Sequence, residues 1–183
     1  SVFYAMYHGA EGVQKIAERI HFLTKLLAVG CDALGLRRLN DQFFDTLHLD
    51  CGDQCDAILA QAISKKINLR KVSSTSISIS VNECCTTDDI DELLELLDTS
   101  GKGLSLDALF TQAKSTNAIP SSYARGEIAL SHEIFKQYQS ETEMMRYLKR
   151  LESRDIALTH SMIPLGSCTM KLNSVTEMES VTW

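Results

Sequence analysis

Between Glu11 and Gly30 the apolar residues Val13, Ile16, Ala17, Ile20, Leu23, Leu26 and Leu27 recur at three- and four-residue steps, with Glu11, Lys15, Glu18 and Arg19 largely opposite. That spacing predicts a helix from about Ala10 to Gly30 with one broad apolar face, which is stable only when laid on another element. The following residues say what that element is. Phe43-Phe44-Asp45-Thr46-Leu47-His48-Leu49 alternates like a half-buried strand, and Asp50-Cys51-Gly52-Asp53 reads as a turn in which Asp53 caps a helix from Cys55 to Ile63. Ile67 to Val72 and Ile77 to Val81 both alternate around the polar Ser73-Ser74-Thr75-Ser76, which predicts an antiparallel hairpin. Thr86-Thr87-Asp88-Asp89 offers capping groups before the helical stripe Ile90, Leu93, Leu94 and Leu97, and a short helix follows from about Leu104 to Ala113. Helix, strand, helix, two strands and helix make an α+β unit within the α/β class.

From Lys114 the pattern breaks: Ser115, Thr116, Asn117, Pro120, Ser121, Ser122 and Gly126 interrupt any period. The organisation expected is therefore a small α+β domain at 1–113, a linker at 114–131 and a second segment at 132–183. In that second segment Ile134, Phe135 and Tyr138, then Met144, Met145, Tyr147, Leu148 and Leu151, lie among charged residues as an amphipathic helical stretch.

Composition excludes several functions. A formal charge of -6 lacks the clustered Lys and Arg that a phosphate-backbone binder needs, which argues against nucleic acid as a partner. No apolar run approaches the roughly 18 residues of a membrane span, and no secretory signal opens the chain. The cysteines Cys31, Cys51, Cys55, Cys84, Cys85 and Cys168 show neither paired Cys-x-x-Cys spacing nor accompanying His ligands, so reduced thiols are expected and no metal. Ser1 to Tyr7 reads as the last apolar turns of a helix ending at His8-Gly9, and the expectation is that the chain is an internal piece of a longer polypeptide.

The chemistry-bearing string is His160-Ser161-Met162-Ile163-Pro164-Leu165-Gly166-Ser167-Cys168-Thr169-Met170-Lys171-Leu172-Asn173. Pro164 removes a backbone donor, Gly166 permits close main-chain approach, and Ser167, Cys168 and Thr169 present three small polar heads beside the positive Lys171. Such a set suits an anionic group such as a carboxylate. The same spacing is also ordinary loop chemistry. His160 serves either as an acid or base beside the loop or as a backbone-bonded turn residue. Lys171 either neutralises an anion or is a solvated lysine.

Ser140-Glu141-Thr142-Glu143-Met144-Met145-Arg146-Tyr147-Leu148, Asp155 to His160 and the Ser161 to Asn173 string resemble the glycine decarboxylase family, the pyridoxal-phosphate-dependent P-protein of the glycine cleavage system. Tyr7-His8-Gly9, Ile16 to His21 and Phe43 to Leu47 resemble the same family in the same order, and the similarity is weakest from about Asp98 to Ser122. The resemblance implies two related halves of the aspartate-aminotransferase fold (fold type I), with this chain spanning their junction. It also implies glycine as substrate, pyridoxal 5'-phosphate as cofactor, transfer of an aminomethyl group to the lipoyl arm of the H-protein, and a homodimer of two-half chains. The cofactor's Schiff-base lysine sits in a His-Lys pair in that family, and no His-Lys pair occurs here, so no catalytic residue is assigned. Ser167, Cys168, Thr169, Lys171 and His160 are then expected to wall the substrate and cofactor pocket, with Lys171 matching a family lysine other than the Schiff base. Such a fragment is expected to be inactive alone; the competing reading is a non-catalytic interaction module derived from the same family. The compartment implied is the mitochondrial matrix in a eukaryote and the cytoplasm otherwise.

Overall fold

The computed structural model describes residues 1–125, 127, 129–156, 160, 162 and 174–182, in two compact units: residues 11–129, and residues 1–10 with 130–183. The elements are α1 (Val2–Leu34), β1 (Arg37–Arg38), β2 (Thr46–Asp50), α2 (Cys55–Ser64), β3 (Arg70–Lys71), β4 (Ser76–Ser80), α3 (Thr87–Leu97), α4 (Leu106–Ser115), α5 (Ile134–Gln137), α6 (Glu141–Glu152) and α7 (Val175–Glu179). The protein is a mixed α/β chain. Among the described residues no helix is long and apolar enough to cross a membrane.

In the 11–129 unit the four strands form one sheet in the order β1-β2-β4-β3, every neighbouring pair antiparallel. The expected hairpin is present: Arg70 pairs with Ser78 and Lys71 with Ile77. Alternation sends Leu47, Leu49, Ile77 and Ile79 into the core, where they join Leu23, Leu26 and Leu27 of α1, Ile58 of α2 and Ile90, Leu94 and Leu97 of α3. Burying each such side chain contributes about 1.5–3 kcal/mol. The opposite strand positions are polar and bond to one another: Thr46 Oγ1 lies 2.8 Å from Ser80 Oγ, and Ser76 Oγ lies 3.1 Å from His48 Nε2 and 2.8 Å from Ser73 Oγ. A single-faced core of this kind is what an antiparallel sheet permits.

Local chemistry moves several boundaries from where spacing put them. α1 continues past Gly30 to Leu34, because the left-handed residue that ends it is Gly35, at φ 86°. Gly35 N–H donates to Asp32 O at 3.0 Å and Leu36 N–H to Cys31 O at 2.9 Å, the paired bonds of a Schellman motif. The Lys102 ammonium adds bonds to the Ala33 and Leu34 carbonyls, both at 3.1 Å, where the helix dipole favours a cation. Gly30 is instead a packing residue: a Cβ there would stand 2.7 Å from Leu94 Cδ1. β2 starts at Thr46 rather than Phe43, with Phe43 buried just ahead of it. Asp53 does not cap α2, which enters through a 3-10 turn at Gly52–Gln54 and has no side-chain cap. The short strand β1 has no alternating signature of its own; its two arginines are drawn to Asp50 and Asp32, at 2.6 Å and 2.8 Å.

The cap on α3 is as expected. Thr86 Oγ1 accepts from Asp89 N–H at 3.3 Å while Asp89 Oδ2 accepts from Thr86 N–H at 2.7 Å, a reciprocal capping box. At the other end of α3, the Asp98 carboxylate accepts from Gly103 N–H at 2.9 Å, Ser100 N–H at 3.1 Å and Ser100 Oγ at 2.9 Å. These donors, the Gly103 amide first, hold its carboxyl down to about 2. A carboxyl whose folded pKa lies below its ordinary value supports the loop fully above that ordinary value and loses the contribution as pH falls toward 2.

Two outcomes follow from this packing. Gly30→Ala should lower stability by about 1–2 kcal/mol in urea unfolding, the overpacking against Leu94 outweighing the better helix propensity. Combined with Leu94→Ala, it should cost less than the sum of the two single changes; strict additivity would show that the contact carries no strain. Amide exchange at Gly103 should stay protected through pH 4 and be lost nearer pH 2, and Asp98→Asn should weaken that protection across the whole range; equal protection in Asn and Asp forms at neutral pH would refute the assignment.

Candidate functional site

Of the residues expected to wall a pocket, His160 is described: it lies exposed in a turn. Ser167, Cys168, Thr169 and Lys171 lie outside the described residues, as do Ser161 and the rest of the string from Ile163 to Asn173. The geometry that follows is that of the described residues of the unit 1–10 with 130–183.

That unit is organised around a tight approach at Gly9. Gly9 is buried with φ 65° and ψ −178°, a combination open to glycine and costly for other residues. A Cβ at this position would stand 2.8 Å from the Phe135 carbonyl oxygen, so α5 and the Gln139 side chain beyond it lie directly on the glycine. Gln139 Nε2 donates back to Phe135 O at 3.1 Å and closes this corner. On the preceding turn His8 packs on two tyrosines, its ring 4.3 Å from Tyr4 and 5.5 Å from Tyr7, centroid to centroid. Met6 is buried beside them.

α6 opens at Ser140, whose hydroxyl accepts from Glu143 N–H at 3.3 Å and donates to Glu143 Oε2 at 2.9 Å. Met144 is its buried anchor, while Met145 and Leu148 remain exposed. The rings of Tyr138 and Tyr147 stack with centroids 4.1 Å apart, and Arg150 lies over both, 5.7 Å from the first and 5.1 Å from the second. Arg150 Nη2 donates to the Tyr138 hydroxyl at 2.6 Å. Sequence spacing showed these residues only as an amphipathic helix. The signal for the cluster was the Arg146, Tyr147, Arg150 set at three- and four-residue steps, which shares one helix face.

The 11–129 unit holds chemistry-bearing groups but keeps them quiet. Burial pushes the Cys51 thiol up to about 11 and raises that of Cys31 further, so both stay protonated and are poor nucleophiles. Cys31, Cys51, Cys55, Cys84 and Cys85 are free, and among the described residues no group of three or more His, Cys, Asp or Glu could hold a metal ion. No described lysine is buried. Lys65 pairs with Glu92 at 3.4 Å, Lys71 with Asp56, and Lys149 with Glu152 at 2.7 Å. An amine poised to form an imine is kept neutral by desolvation, and none of these is so placed.

These observations define a mixed α/β protein. The family model described as Glycine cleavage system P-protein matches residues 1–97, more than half of the 183 residues. The chain is also 50% identical over 183 residues to the glycine dehydrogenase (decarboxylating) of Saccharophagus degradans, covering all of this chain and 19% of that protein. Identity to the protein of the same description in Teredinibacter turnerae is 52% over 183 residues, and to glycine dehydrogenase (decarboxylating) 2 of Pseudomonas putida 48% over 181, again 19% of each relative's length. The chain belongs to the glycine cleavage system P-protein family. It spans about a fifth of the length of these relatives, and the similarity extends over the Ser161 to Asn173 string as well.

Gly9→Ala should destabilise the unit that contains it by at least about 2 kcal/mol, through backbone strain and through collision with the Phe135 carbonyl. Adding Gln139→Ala should recover little, because the carbonyl cannot withdraw; full recovery in urea unfolding would show that the side chain alone sets the limit.

Proposed function

We propose that this chain is a segment of a pyridoxal 5'-phosphate enzyme that decarboxylates glycine and passes the aminomethyl group to the lipoyl arm of the H-protein. The observation that carries this reading is the 50% identity over the full chain to a glycine dehydrogenase (decarboxylating), together with the donor set Ser167, Cys168, Thr169 and Lys171. In it, residues 1–113 close the first of two fold type I halves, 114–131 link them, and 132–183 open the second. The partners would be the lipoylated H-protein and a second two-half chain. The compartment would be the bacterial cytoplasm, or the mitochondrial matrix for a eukaryotic chain.

The donor chemistry fits an anionic substrate and a phosphorylated cofactor. Hydroxyls at Ser167 and Thr169 donate to oxyanions, and Lys171 supplies one positive charge without being the cofactor's anchor. The cofactor, when bound, supplies the electron sink that takes up the pair left by departing carbon dioxide. The share of this chain is then to hold the glycine carboxylate and to keep water out while that carboxylate leaves. His160, the one residue of this set that is described, lies exposed in a turn. In this reading the anchoring amine lies outside this chain, since the family's His-Lys pair does not occur in its sequence.

In the full-length enzyme, Ser167→Ala combined with Thr169→Val should lower glycine–carbon dioxide exchange by at least about tenfold, the loss of roughly 1.4 kcal/mol of hydrogen bonding, with little change in melting temperature. Exchange at the parent rate would remove the string from the site. The chain by itself, mixed with pyridoxal phosphate, should give no imine absorbance; an imine band abolished by Lys171→Arg would overturn the assignment of the anchoring amine elsewhere.

A further inference from the structure

Arg146 and Arg150 lie one turn apart on α6, and neither has a carboxylate partner among the described residues. Glu143, the acid on the same face, is turned to the Ser140 hydroxyl instead. In a chain with 24 acidic and 18 basic residues, two neighbouring guanidiniums without an acidic partner are a local exception to the charge balance. Arg150 is moreover immobilised, by one bond to the Tyr138 hydroxyl and by its place over two stacked rings. A guanidinium fixed in this way loses little freedom on binding, and its planar fork still has donors for an oxyanion. Beside it is a hollow of about 260 Å³ lined by Tyr138, Glu143, Arg146, Tyr147 and Arg150. Ring carbons and aliphatic stems make up most of its wall, and its size suits one small ring rather than a drug-sized ligand.

We infer that this hollow binds a small carboxylate carried on a flat apolar body, the carboxylate bridging Arg146 and Arg150 and the body lying against Tyr147. Charge alone would accept any oxyanion; the apolar wall selects for the body. The inference is independent of the decarboxylase reading, since it uses other residues and requires no cofactor.

The test is a titration of the chain at low salt with benzoate, benzamide and inorganic phosphate, followed by the arginine Nε–H resonances. Benzoate should shift Arg146 and Arg150 saturably, benzamide should leave both unmoved, and phosphate should bind at least about threefold more weakly than benzoate. Arg146→Gln, which removes an exposed side chain without breaking a contact, should weaken benzoate binding about tenfold, and Arg150→Lys should do so while keeping the charge. Tyr147→Leu should weaken benzoate more than phosphate. Equal binding of phosphate and benzoate would reduce the hollow to a plain charge patch and overturn the inference, as would benzoate shifts that persist unchanged in Arg146→Gln.

Discussion

The contact between Gly30 of α1 and Leu94 of α3 sets the spacing on which the larger unit is built. Without a side chain at Gly30, α3 lies against the most deeply buried stretch of α1, from Leu26 to Cys31. Leu94 and Leu97 then share one cluster with Leu26, Leu27 and the inward residues of β2 and β4. Interiors packed at crystal density transmit such a constraint, so the small residue at one helix position is felt across the core. The polar face of the sheet is the other consequence. With all apolar strand positions committed inward, Thr46 pairs with Ser80 and His48 with the buried Ser76 on the opposite face.

Burial decides how reactive the side chains of the larger unit are. In the 11–129 unit, desolvation holds the Cys31 and Cys51 thiols protonated, and the described lysines are exposed, half-buried or ion-paired, which leaves a scaffold with few reactive groups. In the other unit Gly9 and Phe135 make a close backbone junction, and the buried Met144 anchors α6.

Much of the fold was legible because its signals are local. The capping groups of Thr86 to Asp89, the hairpin around Ser73 to Ser76 and the apolar stripe of α3 each lie within a dozen residues and were read correctly from spacing. What escaped depends on partners distant in sequence. Gly30 looked like a helix end because glycine is common there, yet its reason is Leu94, and the true end at Gly35 is reinforced by Lys102. Asp53 had the chemistry of a cap but the chain enters α2 through a tighter turn. β1 is two arginines long and exists because β2 offers an edge. The candidate site was legible as a set of donors, since hydroxyl and ammonium chemistry is written in residue type; the arginine cluster over Tyr138 and Tyr147 was not, because its rings come from either side of a helix start.

The order of residues alone determined the class of fold, the α1 and α3 faces, the β3–β4 hairpin and the family, since periodicity and motif identity are properties of neighbouring positions. Tertiary structure decided which glycine terminates a helix and which makes room for one, which acids pair with Arg37 and Arg38, and which arginines stay unpaired on α6. Those outcomes depend on what occupies the space beside a residue, and side chains brought together by folding are separated by tens of positions along the chain.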